Sequence, residues 1–94
     1  MTTHPLIFEG DELEINYSTS AAGSVRVEIQ DWEGGFLSGY GLDDCRSLTG
    51  DEINGVVVWN GGTSVASLSG KLVRLRFVMK DADVYSIRFR HVHV

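Results

Sequence analysis

The chain has few staples outside a folded core. Cys45 is the one cysteine among 94 residues, which excludes an internal disulfide framework and any multi-cysteine zinc site. The one proline, Pro5, precedes every apolar run, so no strand interior loses a ladder hydrogen bond to it. Bases are scarce too. Eight Lys and Arg against thirteen Asp and Glu give a net charge of −5, the wrong sign for a nucleic-acid partner. The longest unbroken apolar run, Val56–Trp59, is far below the roughly 20 residues of a membrane-spanning helix, so no membrane partner is expected. The opening Met-Thr-Thr-His-Pro has neither a basic nor an apolar stretch, so no secretory signal is expected to start there, and localisation stays open.

What is present is ordinary globular material, 43% hydrophobic and 22% charged. A chain of this size implies one domain over 1–94, burying roughly 60–65% of its unfolded surface. The charge is uneven: residues 1–47 carry nine acids and two bases, residues 48–94 four acids and six bases. Solvated outer strand faces of opposite sign, attracting each other weakly, account for this.

Alternation with period two runs through nearly the whole chain. Leu13, Ile15 and Tyr17 alternate with polar neighbours, as do Val25, Val27 and Ile29. The same spacing recurs at Val73, Leu75, Phe77 and Met79, and at Tyr85, Ile87 and Phe89. Val56–Trp59 is a short β-branched run, consistent with a strand buried on both faces. Leu6-Ile7-Phe8 begins a first strand. Gly10-Asp11, Ala22-Gly23, Gly34-Gly35, Gly50-Asp51 and Asn60-Gly61-Gly62 punctuate these runs, and Ser64–Ser69 has room for a single helical turn. The expected fold is an all-β antiparallel sandwich of six to eight strands, with jelly-roll and Ig-like arrangements both open. Its core should hold Val25, Val27, Ile29, Val57, Trp59, Leu75, Phe77, Ile87 and Phe89. Arg74, Arg76, Arg88 and Arg90 should stripe an outer face, paired by Glu12, Glu14, Glu28, Asp81 and Asp83.

Little in the chain reads as catalytic. His4, His91 and His93 lie near the termini. His91 and His93 share a strand face, but no third ligand is evident, so no metal site is expected. Neither Cys45 nor any serine has a neighbouring base, and no enzyme activity or cofactor is expected. Cys45 reads instead as a small buried hydrophobe. Loop carboxylates at Asp43, Asp44, Asp51, Glu52, Asp81 and Asp83 suit either calcium or plain turn chemistry, and the two stay open.

The aromatic loop is more informative. Asp31-Trp32-Glu33-Gly34-Gly35-Phe36-Leu37-Ser38-Gly39-Tyr40-Gly41 carries three rings among four glycines. Flat aromatic faces beside carboxylates suit the C–H edges and hydroxyls of a sugar. Trp32, Tyr40, Glu33 and Asp31 are the candidate carbohydrate-binding residues. Against this, Phe36 and Tyr40 are expected to fold back over the edge of the fold, with Trp32 either exposed or not.

Several stretches occur together in a familiar order. They are Gly23–Asp31, Gly39-Tyr40-x-Leu42-x-Asp44-Cys45, Gly50-Asp51, Val58-Trp59 and Gly61-Gly62. Leu68-x-Gly70-Lys71-x-Val73-Arg74-Leu75-Arg76-Phe77 and Lys80-Asp81-Ala82-Asp83-x-Tyr85-Ser86-x-Arg88-Phe89 follow. The set resembles the small β-sandwich domain at the C-terminal end of many bacterial proteins related to family 32 glycoside hydrolases and sialidase-like propellers. The likeness covers about residues 10–90. It departs at Phe36 and Ser38, which stand where prolines are expected, and at the extension Arg90–Val94. The resemblance implies a non-catalytic accessory module packed beside a glycosidase-like propeller, either sugar-binding or purely structural. A partner saccharide, the parent propeller and a second copy of the chain are the candidate partners; no ligand residues carry over from the family.

Overall fold

The computed structural model describes residues 2–90, apart from the side chains of Ile53 and Asn54. Among the described residues four strands make one antiparallel sheet: β1 (Leu6–Ile7), β2 (Glu12–Asp31), β3 (Asp51–Val56) and β4 (Leu72–Arg90), in the order β1-β4-β2-β3. Two 3-10 turns, Leu42–Asp44 and Ala66–Leu68, are the helical elements among the described residues. The second falls inside the Ser64–Ser69 segment expected to turn.

Alternating segments that read as separate strands are joined. Leu13–Tyr17 and Val25–Ile29 are two parts of β2, while Val73–Phe77 and Ile87–Phe89 are two parts of β4. The two long strands pair from Glu12↔Arg90 to Asp31↔Val73. Irregularity at Ser20–Gly23 opposite Asp81 interrupts them, so Ala22-Gly23 marks a bulge and not a hairpin turn. The approach there is close: a Cβ on Gly23 would lie 2.5 Å from the Asp81 carbonyl oxygen. Asp81 itself takes φ 47, in the left-handed region. A second extra residue, Tyr85, sits between Asn16↔Ser86 and Tyr17↔Val84.

These two irregularities, the left-handed Asp81 and the extra residue Tyr85, decide which side chains of β4 meet the core, because each breaks the alternation and reverses the facing beyond it. On β4, Val73, Leu75 and Phe77 are buried. Past Asp81 the facing changes, so Ala82 and Val84 pack on the core; past Tyr85 it changes back, and Phe89 does. One expected core residue is corrected: Ile87 is 37% exposed, so it is no core residue. Tyr85, the bulge residue, is 64% exposed. Phe89 is partly buried and stacks on Phe8 with centroids 4.0 Å apart.

The other expected core residues are buried in one cluster that also takes in Leu13, Ile15, Tyr17, Val65 and Val73. The Val56–Trp59 run departs from expectation. β3 ends at Val56, and beyond it Val57 and Trp59 are buried while Val56 and Val58 are half-buried. The run therefore has one buried face, not two. Tyr17 closes over β3, where a Cβ on Gly55 would meet its ring at 2.5 Å, and its hydroxyl donates to the Thr49 carbonyl.

Register also explains the charge asymmetry. β2 lies in the acidic half and β4 in the basic half, and pairing them sets Glu14 opposite Arg88, Glu12 opposite Arg90 and Glu28 opposite Arg76. Arg88 donates through Nη2 (2.7 Å) and Nε (3.1 Å) to Glu14 Oε1, and Arg90 Nη1 to Oε2 (2.9 Å). Glu14 is only 3% exposed because these two surface guanidiniums cover it. Hydrogen bonds from Arg90 and then Arg88 hold its carboxyl below the ordinary carboxylate range. Arg76 lies 3.6 Å from Glu28. Arg74 departs from the pattern, donating instead to the Trp32 carbonyl.

Candidate functional site

The edge of β2 that faces away from β4 carries no regular strand from Val25 to Asp31. Buried backbone groups must still find partners, and an irregular stretch of chain supplies them. Val25 exchanges two backbone bonds with Leu48, the Ile29 N–H donates to the Tyr40 carbonyl, and the Asp31 N–H to Gly35. Val27 is served by side chains: its N–H donates to Cys45 Sγ (3.4 Å) and its carbonyl accepts from Trp59 Nε1 (3.0 Å). Cys45 is buried, as expected, and burial pushes its thiol pKa up. The loop from Asp31 to Gly41 is thus pinned along a sheet edge, with Trp32, Glu33 and Phe36 exposed and Leu37 and Tyr40 packed against the core.

At its start, Asp31 Oδ1 accepts from the N–H groups of Glu33 (2.9 Å) and Gly35 (2.7 Å), and the Gly34 N–H donates to the Asp31 carbonyl. That carboxylate holds a tight turn. Trp32 stands on the turn, 53% exposed, with its carbonyl fixed by Arg74 Nε at 2.8 Å. Glu33 is exposed beside it. Tyr40, the fourth candidate, points elsewhere. Its ring meets Trp59 edge-on (centroids 5.5 Å, 69° between planes), and its hydroxyl lies within hydrogen-bond distance of the Ser64 carbonyl and Ser67 Oγ. Asp31, Trp32 and Glu33 therefore share one turn, and Tyr40 belongs to a second cluster with Trp59.

Phe36 corrects the expectation that it folds back. It bridges Gln30, whose side chain lies on the face away from the core, and cross-strand partners share a face. Its ring is 69% exposed and rests over Gly41, where a Cβ would come within 2.8 Å of it. Together with Glu28, Leu42, Asp43 and Asp44 it lines a cavity of about 510 Å³. Asp44 is already engaged, accepting from the Gly41 N–H and from Asn60 Nδ2. A second cavity, about 190 Å³, opens between Ser38–Tyr40 and Trp59–Ser64.

Among the described residues no three His, Cys, Asp or Glu side chains converge as a metal site. Asp43, Asp44, Asp51, Asp81 and Asp83 are not gathered into one. Asp51 instead accepts from Ser18 Oγ at 2.6 Å. His91 and His93 lie outside the described residues, and no described helix is long and apolar enough to cross a membrane. No family, no curated protein and no solved structure matches the chain.

Proposed function

We propose that this chain is a non-catalytic accessory module that holds a saccharide weakly through the Asp31–Gly41 loop, with Trp32 as the principal platform. The reading rests on Trp32: a large ring, 53% exposed, on a turn locked by Asp31 and Arg74. Exposed aromatic rings on a pinned loop give contact area at small ordering cost. Glu33 stands beside it as an acceptor for sugar hydroxyls. Binding should be about millimolar, worth roughly 4 kcal/mol, with avidity supplied by a parent glycosidase-like propeller. The same reading takes the bulges at Ser20–Gly23 and Tyr85 as corners that fold the sheet into the two layers of a sandwich; the single buried cluster drawing on both halves of β2 supports this.

A structural or assembly role, on a propeller or on a second copy, is the alternative, and one observation favours it. Beyond Phe77 the outer edge of β4 has no partner strand among the described residues, and Met79, Tyr85 and Ile87 are exposed along it. Titration of an oligosaccharide panel with amide and indole NMR shifts decides between the two. Shifts that cluster on Trp32 and vanish in Trp32→Ala carry the saccharide reading. A silent panel gives the case to assembly.

A further inference from the structure

Resting on the saccharide reading, we infer that one sugar ring of the ligand, a neutral pyranose, has its own subsite in the 190 Å³ cavity between Tyr40, Trp59 and Gly61. The cavity is smaller than the roughly 300–1,000 Å³ of pockets for drug-sized ligands, so it admits a single ring and not a chain of them. No charged residue lines it, although the chain carries a net charge of −5. The larger cavity beside Phe36, by contrast, is bordered by Glu28, Asp43 and Asp44. An uncharged site fits a neutral polar ligand.

Both rings are fixed before any ligand arrives. Trp59 spends its N–H on the Val27 carbonyl, and Tyr40 spends its hydroxyl on Ser64 and Ser67. Trp59 is buried, 1% exposed, and backs the half-buried Tyr40 edge-on, so with its hydroxyl consumed the Tyr40 ring is the aromatic surface the cavity meets, and its carbons suit the C–H face of a pyranose. Ser38 and Ser64 at the wall provide hydroxyls for its rim.

Gly61 is the second observation. Neighbouring Gly62 needs to be glycine, since its φ is 114. Gly61 has no such φ, and a Cβ there would meet no heavy atom within 4 Å. Neither backbone nor packing demands a glycine at that position. What its missing side chain preserves is open space at the cavity wall.

The test titrates the protein with the methyl pyranosides of glucose, galactose, mannose and N-acetylglucosamine, each to about 100 mM, a range that detects millimolar binding. At least one should shift the amides of Gly61, Gly62 and Ser64, in wild type and in Trp32→Ala alike. Gly61→Leu fills the cavity and should abolish those shifts while the melting temperature stays at the wild-type value. Saturation transfer from the Tyr40 ring protons to the bound glycoside, measured in the wild type, needs no variant and should be seen. Shifts that survive Gly61→Leu, or that appear only around Trp32, overturn the subsite and leave the saccharide reading standing. If neither the glycosides nor the oligosaccharide panel shifts any resonance, both fall.

Discussion

Trp59 Nε1 donates to the carbonyl of Val27, 32 residues earlier in the chain, across 3.0 Å. The bond does the work of a missing neighbouring strand, and it fixes the indole under the loop that carries the candidate site. Trp59→Phe keeps most of the ring but leaves a buried carbonyl without a partner, which should cost about 1–3 kcal/mol. Urea unfolding measures it; a midpoint equal to that of the wild type would show that the bond contributes nothing.

Phe77 is buried in the same cluster. Phe77→Ala should cost about 3–5 kcal/mol, a large share of a small domain's stability. A thermal midpoint that does not move would place this strand face outside the core.

Glu14 gives an acid-side signature. Its folded pKa is depressed by Arg90 and Arg88, so its contribution is present above the ordinary glutamate pKa and is lost as pH falls through the depressed one. The stability gap between wild type and Glu14→Gln should therefore be widest near neutral pH and shrink as pH falls below the ordinary glutamate range. Urea midpoints across an acid pH series test this. A gap constant with pH would mean that the carboxylate draws nothing from the two arginines.

Asp81 sits at φ 47 opposite the Gly23 bulge. A β-branched residue is poorly tolerated in that region, so Asp81→Val should be less stable than Asp81→Gly by about 1–2 kcal/mol. Equal midpoints for the two would mean that the bulge has rearranged.

The uneven legibility of the fold in the sequence has a physical origin at these same residues. Period-two spacing located the buried faces at Leu13–Tyr17, Val25–Ile29 and Val73–Phe77, where the pleat is regular. It breaks down at Tyr85, an inserted residue that leaves the alternation, and at Ile87, which returns to the face of Phe89 opposite buried Ile15 and is nonetheless 37% exposed; a pattern of alternation assumes an uninterrupted, covered strand. The partners of Val27 lie 18 and 32 residues away in sequence, and no local spacing encodes such bonds. In the loop, alternation ended at Asp31, so nothing demanded that Trp32 be buried. Phe36 faces outward because of its cross-strand partner Gln30, a pairing legible only once the loop is seen to bridge the sheet edge. Proximity in sequence groups Tyr40 with Trp32; its hydroxyl bonds to Ser64 and Ser67 set it with Trp59 instead.

A saccharide seated on Trp32, as proposed, would cover its indole. The chain holds two tryptophans, one buried and one exposed, so acrylamide quenching of intrinsic fluorescence reports chiefly on Trp32. At least one oligosaccharide, at tens of millimolar, should shield Trp32 and lower the quenching constant, and Trp32→Ala should remove the effect. Quenching unchanged across the whole panel would contradict the saccharide reading.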